Sequence, residues 1–349
     1  MQIGLVGLQY SGKTTLFNTI AKIEPSEVQL GVEEATIEVV KIPDERLDKL
    51  TEMFNPKKKV TATIEVFDTP GLKMSDDGKV KITSQFLNNV KNNDALFYVV
   101  RKFKDETVAH PMNEINPVRD IEFLEIEFLF HDLAFLESRI EKLKKDIMKT
   151  KDDKLKRELT IIEKCFTHVE TEKPLRSLKL SEDELKTLSG YQLLTLKPLL
   201  IGVNFDENSI ADMENVLSEI KETLTNKSET IIPFFGKIEY ELSTMDDDDR
   251  NTFMEDYGIK ESALSKILKS AYEKLGLQSF FTVGEDECRA WTIKKNYTAQ
   301  DSAGVIHTDF YNKFIRAEVV HYDDYINYES FAKCKEAGVW RLEGKQYVV

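Results

Sequence analysis

The stretch Gly7-Leu8-Gln9-Tyr10-Ser11-Gly12-Lys13-Thr14 decides the fold, because it spells a complete P-loop. Met1-Gln2-Ile3-Gly4-Leu5-Val6 ahead of it reads as a buried strand, and Thr15-Leu16-Phe17-Asn18-Thr19-Ile20 behind it opens a helix. Strand, loop and helix in that order are the context the motif needs. Gly7 and Gly12 let the backbone curl until its N–H groups face a phosphate, and the helix dipole adds positive potential. Lys13 is placed to reach the β- and γ-phosphates and Thr14 to ligate Mg²⁺, while Gln9, Tyr10, Ser11 and Thr15 complete the nucleotide-binding loop. The alternative is a chance match in a glycine-rich turn.

Outward from the loop, strands and helices alternate. Candidate strands are 2–7, 35–41, 61–68, 95–101, 199–204 and 230–235, with helices over 12–23, 45–54 and 81–92. This predicts an α/β fold with a mostly parallel, G-domain-like sheet of the P-loop NTPase kind. Leu129, Leu133, Leu136, Ile140, Leu143 and Ile147 then recur at steps of four and three, as do Leu155, Leu159, Ile162, Phe166 and Val169. Two such runs around the polar turn 150–154 predict an inserted antiparallel helical hairpin or short coiled coil. A helical stretch covers 248–275. From Phe280, short alternating runs such as Arg289-Ala290-Trp291-Thr292-Ile293 predict a small separate β-rich domain. The expected division is 1–122 with 196–277 for the nucleotide, 123–195 for the hairpin and 278–349 for the C-terminal domain.

At 349 residues the chain exceeds one average domain. No apolar stretch is long enough to span a bilayer and no signal peptide opens the chain, so no membrane partner and a cytoplasmic setting are expected. Cys165, Cys288 and Cys334 form neither a disulfide framework nor a metal pattern. A net charge of −14 argues against a general nucleic-acid coat protein, and DNA is not an expected partner. Between Lys142 and Arg157, however, eight cations stand against three anions, which suits a phosphate-rich surface or a solvated helix turn. Asp246-Asp247-Asp248-Asp249 reads as a capped or solvated helix start.

Val66-Phe67-Asp68-Thr69-Pro70-Gly71 ends an apolar strand with the Asp-x-x-Gly pattern of P-loop NTPases. Asp68 is placed to hold Mg²⁺, mostly through water, and the Gly71 N–H to sense the γ-phosphate. Leu72 stands where Ras-like GTPases carry a water-orienting Gln. A leucine side chain has no donor or acceptor for that work, so unassisted hydrolysis should be slow. Asn204-Phe205-Asp206-Glu207 follows a strand at the place of the guanine-reading Asn-Lys-x-Asp. Glu207 carries one methylene more than Asp, so the two-bond match to guanine should fail, and relaxed specificity or a preference for ATP follows. Phe235, Gly236 and Lys237, after the last strand, complete the candidate pocket. In Phe280–Val349 nine cations meet eleven anions and no catalytic constellation occurs. Trp291, Phe310 and Trp340 read as core, and His307 as a satisfied structural histidine.

Together these residues resemble the Obg-like ATPase (YchF) family. The resemblance is carried by the P-loop, Pro43-Asp44-x-Arg46-Leu47, Asp68-x-x-Gly71-Leu72, Asn204-x-x-Glu207, Glu239 and Asp248-Asp249-Arg250. Arg289–Ile293 and Ile306-His307-Thr308-Asp309-Phe310 add the C-terminal signature. The resemblance implies a G domain with a helical-hairpin insertion and a C-terminal TGS domain of β-grasp type. It also implies weak hydrolysis of ATP in preference to GTP and association with ribosomes and translation or stress control. Mg²⁺ is expected from Thr14 and Asp68, and ribosome or ribosomal-RNA contact from the basic hairpin tip at Lys142–Arg157 and the TGS domain. An Obg-type GTPase and a nucleotide-gated scaffold with negligible catalysis are the alternatives. By its residues alone His110 reads as an exposed loop histidine, whereas the resemblance implies that it positions water in place of the missing Gln.

Four departures from the family pattern bear on function. Gln9, Tyr10 and Ser11 replace Pro-Asn-Val, which leaves a monovalent-cation role of that Asn without a counterpart. The switch I run Thr-Ile-Glu-Pro-Asn is absent: Val32 stands in register with its Thr, and Thr36, nearby but out of register, is the candidate third Mg²⁺ contact. The charged segment Lys73–Ser84 replaces a glycine-rich one. The family continues past the position of Val349 into one more strand, so the TGS sheet should be incomplete or stabilised in another way.

Overall fold

The computed structural model describes residues 1–22, 36–72, 82–150, 152–224, 229–256 and 261–349. Val32 and most of Lys73–Ser84, singled out above, lie outside them, as does Lys151 within the basic run Lys142–Arg157. The first half runs β1 (Gln2–Val6), α1 (Lys13–Ala21), β2 (Thr36–Lys41), α2 (Glu45–Phe54), β3 (Lys58–Val60), β4 (Thr63–Asp68), α3 (Ser84–Lys91), β5 (Ala95–Arg101), α4 (Pro117–Thr150) and α5 (Asp153–Val169). There follow α6 (Glu182–Leu188), β6 (Leu199–Asn204), α7 (Met213–Thr223), β7 (Thr230–Phe234), α8 (Gly236–Thr244), α9 (Asp247–Asp256) and α10 (Ala263–Lys274). The last part holds β8 (Leu277–Thr282), β9 (Glu287–Lys294), α11 (Ala299–Ile306), α12 (Thr308–Asn312), β10 (Ala317–Val319), α13 (Tyr322–Tyr328), α14 (Phe331–Glu336) and β11 (Arg341–Glu343).

Six strands form one sheet in the order β2-β4-β1-β5-β6-β7, and β4, β1, β5, β6 and β7 are mutually parallel. Every residue of β5 and β6 is buried, which is why both read as unbroken apolar runs. Pro233 is tolerated because β7 is an edge strand. The sheet's neighbours diverge at β1, with β4 on one side and β5 on the other. Ligands of open α/β sheets gather beyond the strand C-termini at such a reversal. The fold class expected from the sequence is the one observed.

The predicted hairpin is present as α4 and α5, and α4, at 34 residues, is about 50 Å long. Leu136, Leu143, Ile162 and Cys165 fill its seam with no more than traces of exposure. Arg139 donates from Nε to Glu158 at 3.0 Å and lies over the Tyr191 ring at 5.3 Å. The turn is closed by Asp152, which caps α5 by accepting from Lys154 N at 2.8 Å. At the hairpin's base, Arg176 is buried between Glu125 and Glu229, and Tyr98 donates to Glu125 at 2.8 Å.

Contacts divide the chain into two compact units, Met1–Val39 with Glu65–Ala271, and Val40–Ile64 with Tyr272–Val349. The division by sequence had placed Val40–Ile64 with the nucleotide domain. Those residues join the C-terminal unit because β3 pairs in parallel with β9, itself antiparallel to β8, and because Leu50 packs in one cluster with Tyr325 and Cys334. The signature Asp44-x-Arg46 is structural: Asp44 caps α2, accepting from Arg46 N at 3.1 Å and from Arg46 Nη2 at 2.8 Å.

The C-terminal unit holds more helix than its alternating runs suggest, with α11 to α14 set between β9 and β11. Its end is tied down: Val349 donates to Tyr297 O at 3.1 Å and accepts from Gln278 Nε2 at 2.7 Å. His307 is structural, its Nδ1 accepting from Asp309 N at 3.1 Å to cap α12. Phe310 is not core as expected but 54% exposed, because α12 is a single short helix with no buried residue. The stretch 248–275 is two helices, α9 and α10, and Asp246 caps the first by accepting from Asp248 N and Asp249 N at 3.1 and 2.9 Å. The three cysteines are free and buried.

Candidate functional site

The P-loop closes on itself between β1 and α1. Gly12 precedes α1 with φ 90° and ψ 11°, a left-handed conformation, and Leu16 N donates to its carbonyl at 2.9 Å. Gly7 has no room for a side chain, since a Cβ there would stand 2.5 Å from the Val99 carbonyl. The loop is laced to the segment after β4 by Gln9 N donating to Leu72 O at 3.0 Å and Leu72 N to Gly7 O at 3.1 Å.

Lys13 and Thr14 both meet Asp68, which ends β4 beside Leu5 of β1. The buried Lys13 ammonium donates to the Asp68 carboxylate and to the Thr69 carbonyl. Burial pulls its pKa below the usual lysine range, and Asp68 pulls it part of the way back. Thr14 Oγ1 donates to the other Asp68 oxygen at 3.0 Å. An exposed hydroxyl beside a carboxylate is a hard-oxygen pair of the kind Mg²⁺ takes alongside phosphate oxygens and water. No group of three or more His, Cys, Asp or Glu able to hold a metal occurs among the described residues.

Next to the cradle opens a cavity of about 620 Å³. Tyr10, Gly12, Thr15, Asn204, Phe205, Glu207, Phe235, Gly236 and Lys237, all expected from sequence, line it. Asn204 holds its floor together: Nδ2 donates to Ser11 O at 3.2 Å and Oδ1 accepts from Gly236 N at 3.0 Å. Phe205 belongs equally to the sheet core, at 2% exposure. Asp206, also in the cavity wall, accepts from Lys104 N at 2.7 Å and Ser209 Oγ at 2.9 Å. Glu207 and Asp105 are the exposed carboxylates that line the cavity, and Asp105 is occupied by Thr107, whose N and Oγ1 donate to it at 2.9 and 2.6 Å.

Sequence reasoning missed the Phe103–Val108 wall of the cavity. Its only signal was Arg101, a charge closing an otherwise apolar strand. Glu239, noted only as a family residue, caps α10 from a distance, accepting from Ala263 N at 2.7 Å.

Besides the cradle residues, the side chains of Leu72, Thr36 and His110 also lie outside the cavity lining. Leu72 is 2% exposed and belongs to the sheet's core cluster. Replacing Leu72 by Gln should therefore lower stability by about 2–4 kcal/mol, the cost of an unpaired buried amide, without speeding hydrolysis. Calorimetric melting and phosphate release check this, and faster turnover at unchanged Tm would show that the side chain reaches the phosphates. Thr36 opens β2 and is exposed, with no bond to Asp68 or Thr14. His110 is buried, not an exposed loop histidine: Asp120, in the first turn of α4, lies 3.0 Å from Nε2, and Met112 N donates to Nδ1 at 3.1 Å. Nδ1 is thus the acceptor and Nε2 carries the proton. Burial lowers the His110 pKa against the pull of Asp120.

Known proteins resemble the chain over nearly its whole length. It is 39% identical over 348 residues to the ribosome-binding ATPase YchF of Pasteurella multocida (strain Pm70), covering 99% of this chain and 95% of that one. It is 38% identical over 351 residues to the protein of the same description from Bacillus subtilis (strain 168), with the same coverage. A solved structure of the Schizosaccharomyces pombe YchF GTPase superposes with a TM-score of 0.87 at 32% identity, covering 100% of this chain and 95% of that chain. A family model described as "50S ribosome-binding GTPase" matches residues 2–164. The YchF-GTPase_C model, described as "Protein of unknown function (DUF933)", matches residues 277–349. Among the described residues no helix is long and apolar enough to cross a membrane.

Proposed function

The chain belongs to the YchF family, and from that premise we propose that it is a Mg²⁺-dependent, ATP-preferring nucleotide switch with slow hydrolysis that acts on the ribosome in the cytoplasm. One observation carries the reading: a P-loop cradle with Lys13, Thr14 and Asp68 converging on one another opens beside a cavity lined by Asn204, Phe205 and Glu207. Gly7, Gln9, Ser11, Gly12 and Thr15 supply the phosphate-facing backbone, and Lys13 the ammonium. Thr14 and Asp68, with Thr36 as a further candidate, would hold Mg²⁺, which when bound neutralises charge on the phosphates. Gly71 would report the γ-phosphate through its N–H. Residues 1–122 and 196–277, apart from Val40–Ile64 and Tyr272–Leu277, which pack in the C-terminal unit, are assigned to nucleotide binding, and 123–195 with the β-grasp (TGS) residues 278–349 to docking.

The names of the relatives split between ATPase and GTPase, so base choice needs its own test. Calorimetric titration of the Mg²⁺ complexes of ATP and GTP should give tighter binding of ATP. Tighter GTP would return the chain to the Obg-type reading, and binding of neither would remove the nucleotide reading.

Water positioning is assigned to His110 through its neutral Nε2–H tautomer, which requires the ring to leave Asp120. His110→Ala should then slow single-turnover hydrolysis by about ten- to a hundred-fold, the scale of one lost positioning group. An unchanged rate would take His110 out of the reaction.

The hairpin tip is assigned to a phosphate-rich partner, ribosomal RNA. Its cations are partly neutralised from within, Lys144 by Glu163 at 3.0 Å and Lys156 by Asp153 at 2.8 Å. Lys149 and Lys154 form no such pair among the described residues. Changing both to Glu should weaken ribosome co-sedimentation by about ten-fold or more at low salt and less at high salt. Binding that ignores both the substitutions and the salt would leave the tip a solvated turn.

A further inference from the structure

Arg101 ends β5 with its side chain wholly inside the protein, at 2% exposure. Its guanidinium serves main-chain carbonyls: Nε donates to Phe103 O at 3.1 Å, and Nη2 to Asp105 O at 3.4 Å and Val108 O at 3.0 Å. Nη1, buried as well, has no hydrogen-bond partner among the described residues. The charge also lies 4.4 Å from the centre of the Phe103 ring. That ring reaches the P-loop, since a Cβ on Gly12 would stand 3.8 Å from Phe103 Cε1. The main chain at this point is held by Asn204, whose carbonyl accepts from Lys102 N at 2.8 Å and Phe103 N at 3.0 Å.

A buried guanidinium is expensive in desolvation, and is kept where a planar fork does what a neutral or single-point donor cannot. Here the fork gathers three carbonyls of one short loop. Four residues of that loop, Phe103, Lys104, Asp105 and Val108, line the cavity. Lys104 N is held by the Asp206 carboxylate, and beyond it the fork ties the middle of the loop back to β5. We propose that Arg101 is a positioning residue for the nucleotide, holding 103–108 as the wall on which base and ribose rest, with Phe103 as the surface they meet. The inference rests on the nucleotide reading above and names the residue that shapes its base side.

The test separates the base side from the phosphate side. The full chain is titrated calorimetrically with Mg²⁺·ATP and with Mg²⁺·tripolyphosphate, which meets only the P-loop. Arg101→Lys, Arg101→Met and Phe103→Leu should each weaken ATP about ten-fold, while tripolyphosphate stays within about two-fold of wild type. In turnover the loss should fall on KM more than on kcat. If the ATP-to-tripolyphosphate ratio is unchanged in all three variants, the positioning role is wrong. Should Arg101→Met fail to fold, Arg101→Lys and Phe103→Leu decide the question by the same ratio. A wild-type chain that binds neither ligand overturns the nucleotide reading itself, whereas wild-type binding with an unchanged ratio overturns only the role of Arg101.

Discussion

Lys13→Met is expected to cut ATP hydrolysis by about 10²–10³-fold, the scale seen when one preorganised electrostatic group is removed from a developing charge. Methionine keeps the length and packing of the buried stem, so the loss isolates the ammonium. Two of its three N–H donors are taken by Asp68 and Thr69, which aims the group along the line joining α1 to β4. Removing it also leaves the Asp68 carboxylate to the Thr14 hydroxyl. Asp68 keeps 13% exposure, so the cost in stability should sit at about 1–3 kcal/mol, below that of breaking a fully enclosed pair. Single-turnover phosphate release and calorimetric melting measure the two effects separately. Turnover within about three-fold of wild type, against the expected loss, would mean that the ammonium does not meet the triphosphate.

Gly12→Ala is the second large effect, and it acts by shape. The left-handed backbone at φ 90° costs a residue with a Cβ about 1–2 kcal/mol. The new Cβ would also stand 2.2 Å from Asn204 Nδ2, a distance no real pair of atoms tolerates. Asn204 must move, which breaks its bond to Ser11 O and pulls it from the Gly236 N–H. Each lost buried bond adds about 1 kcal/mol or more. The sum should weaken ATP at least about a hundred-fold in calorimetry, since 1.4 kcal/mol is a factor of ten. Affinity near the wild-type value would show that phosphate is held elsewhere.

Most of the sheet was legible because its signals are local. β5 and β6 are unbroken apolar runs, and β1 is fixed by the P-loop that follows it. The hairpin was legible because its seam repeats at helical spacing. What escaped depends on distant partners. β3 is Lys-Lys-Val, with no alternation to mark it, and becomes a strand only by pairing with β9. His110 looked like loop because its partner Asp120 faces it only once α4 has formed. Phe310 looked like core because aromatic residues usually are, yet α12 buries none of its residues. In the pocket, the residues with a motif were found and those without one, Phe103 and Val108, were not.

The strand β3 has a consequence for dissection. The C-terminal unit is not a cassette that ends where a cut after Ala271 would release it. A peptide beginning at Tyr272 would lose Leu50 from its interior and expose the edge of β9 that Lys58, Lys59 and Val60 now occupy. Bare sheet edges invite self-association. Any transplant of this part must therefore carry Val40–Ile64 with it, grafted back by a loop.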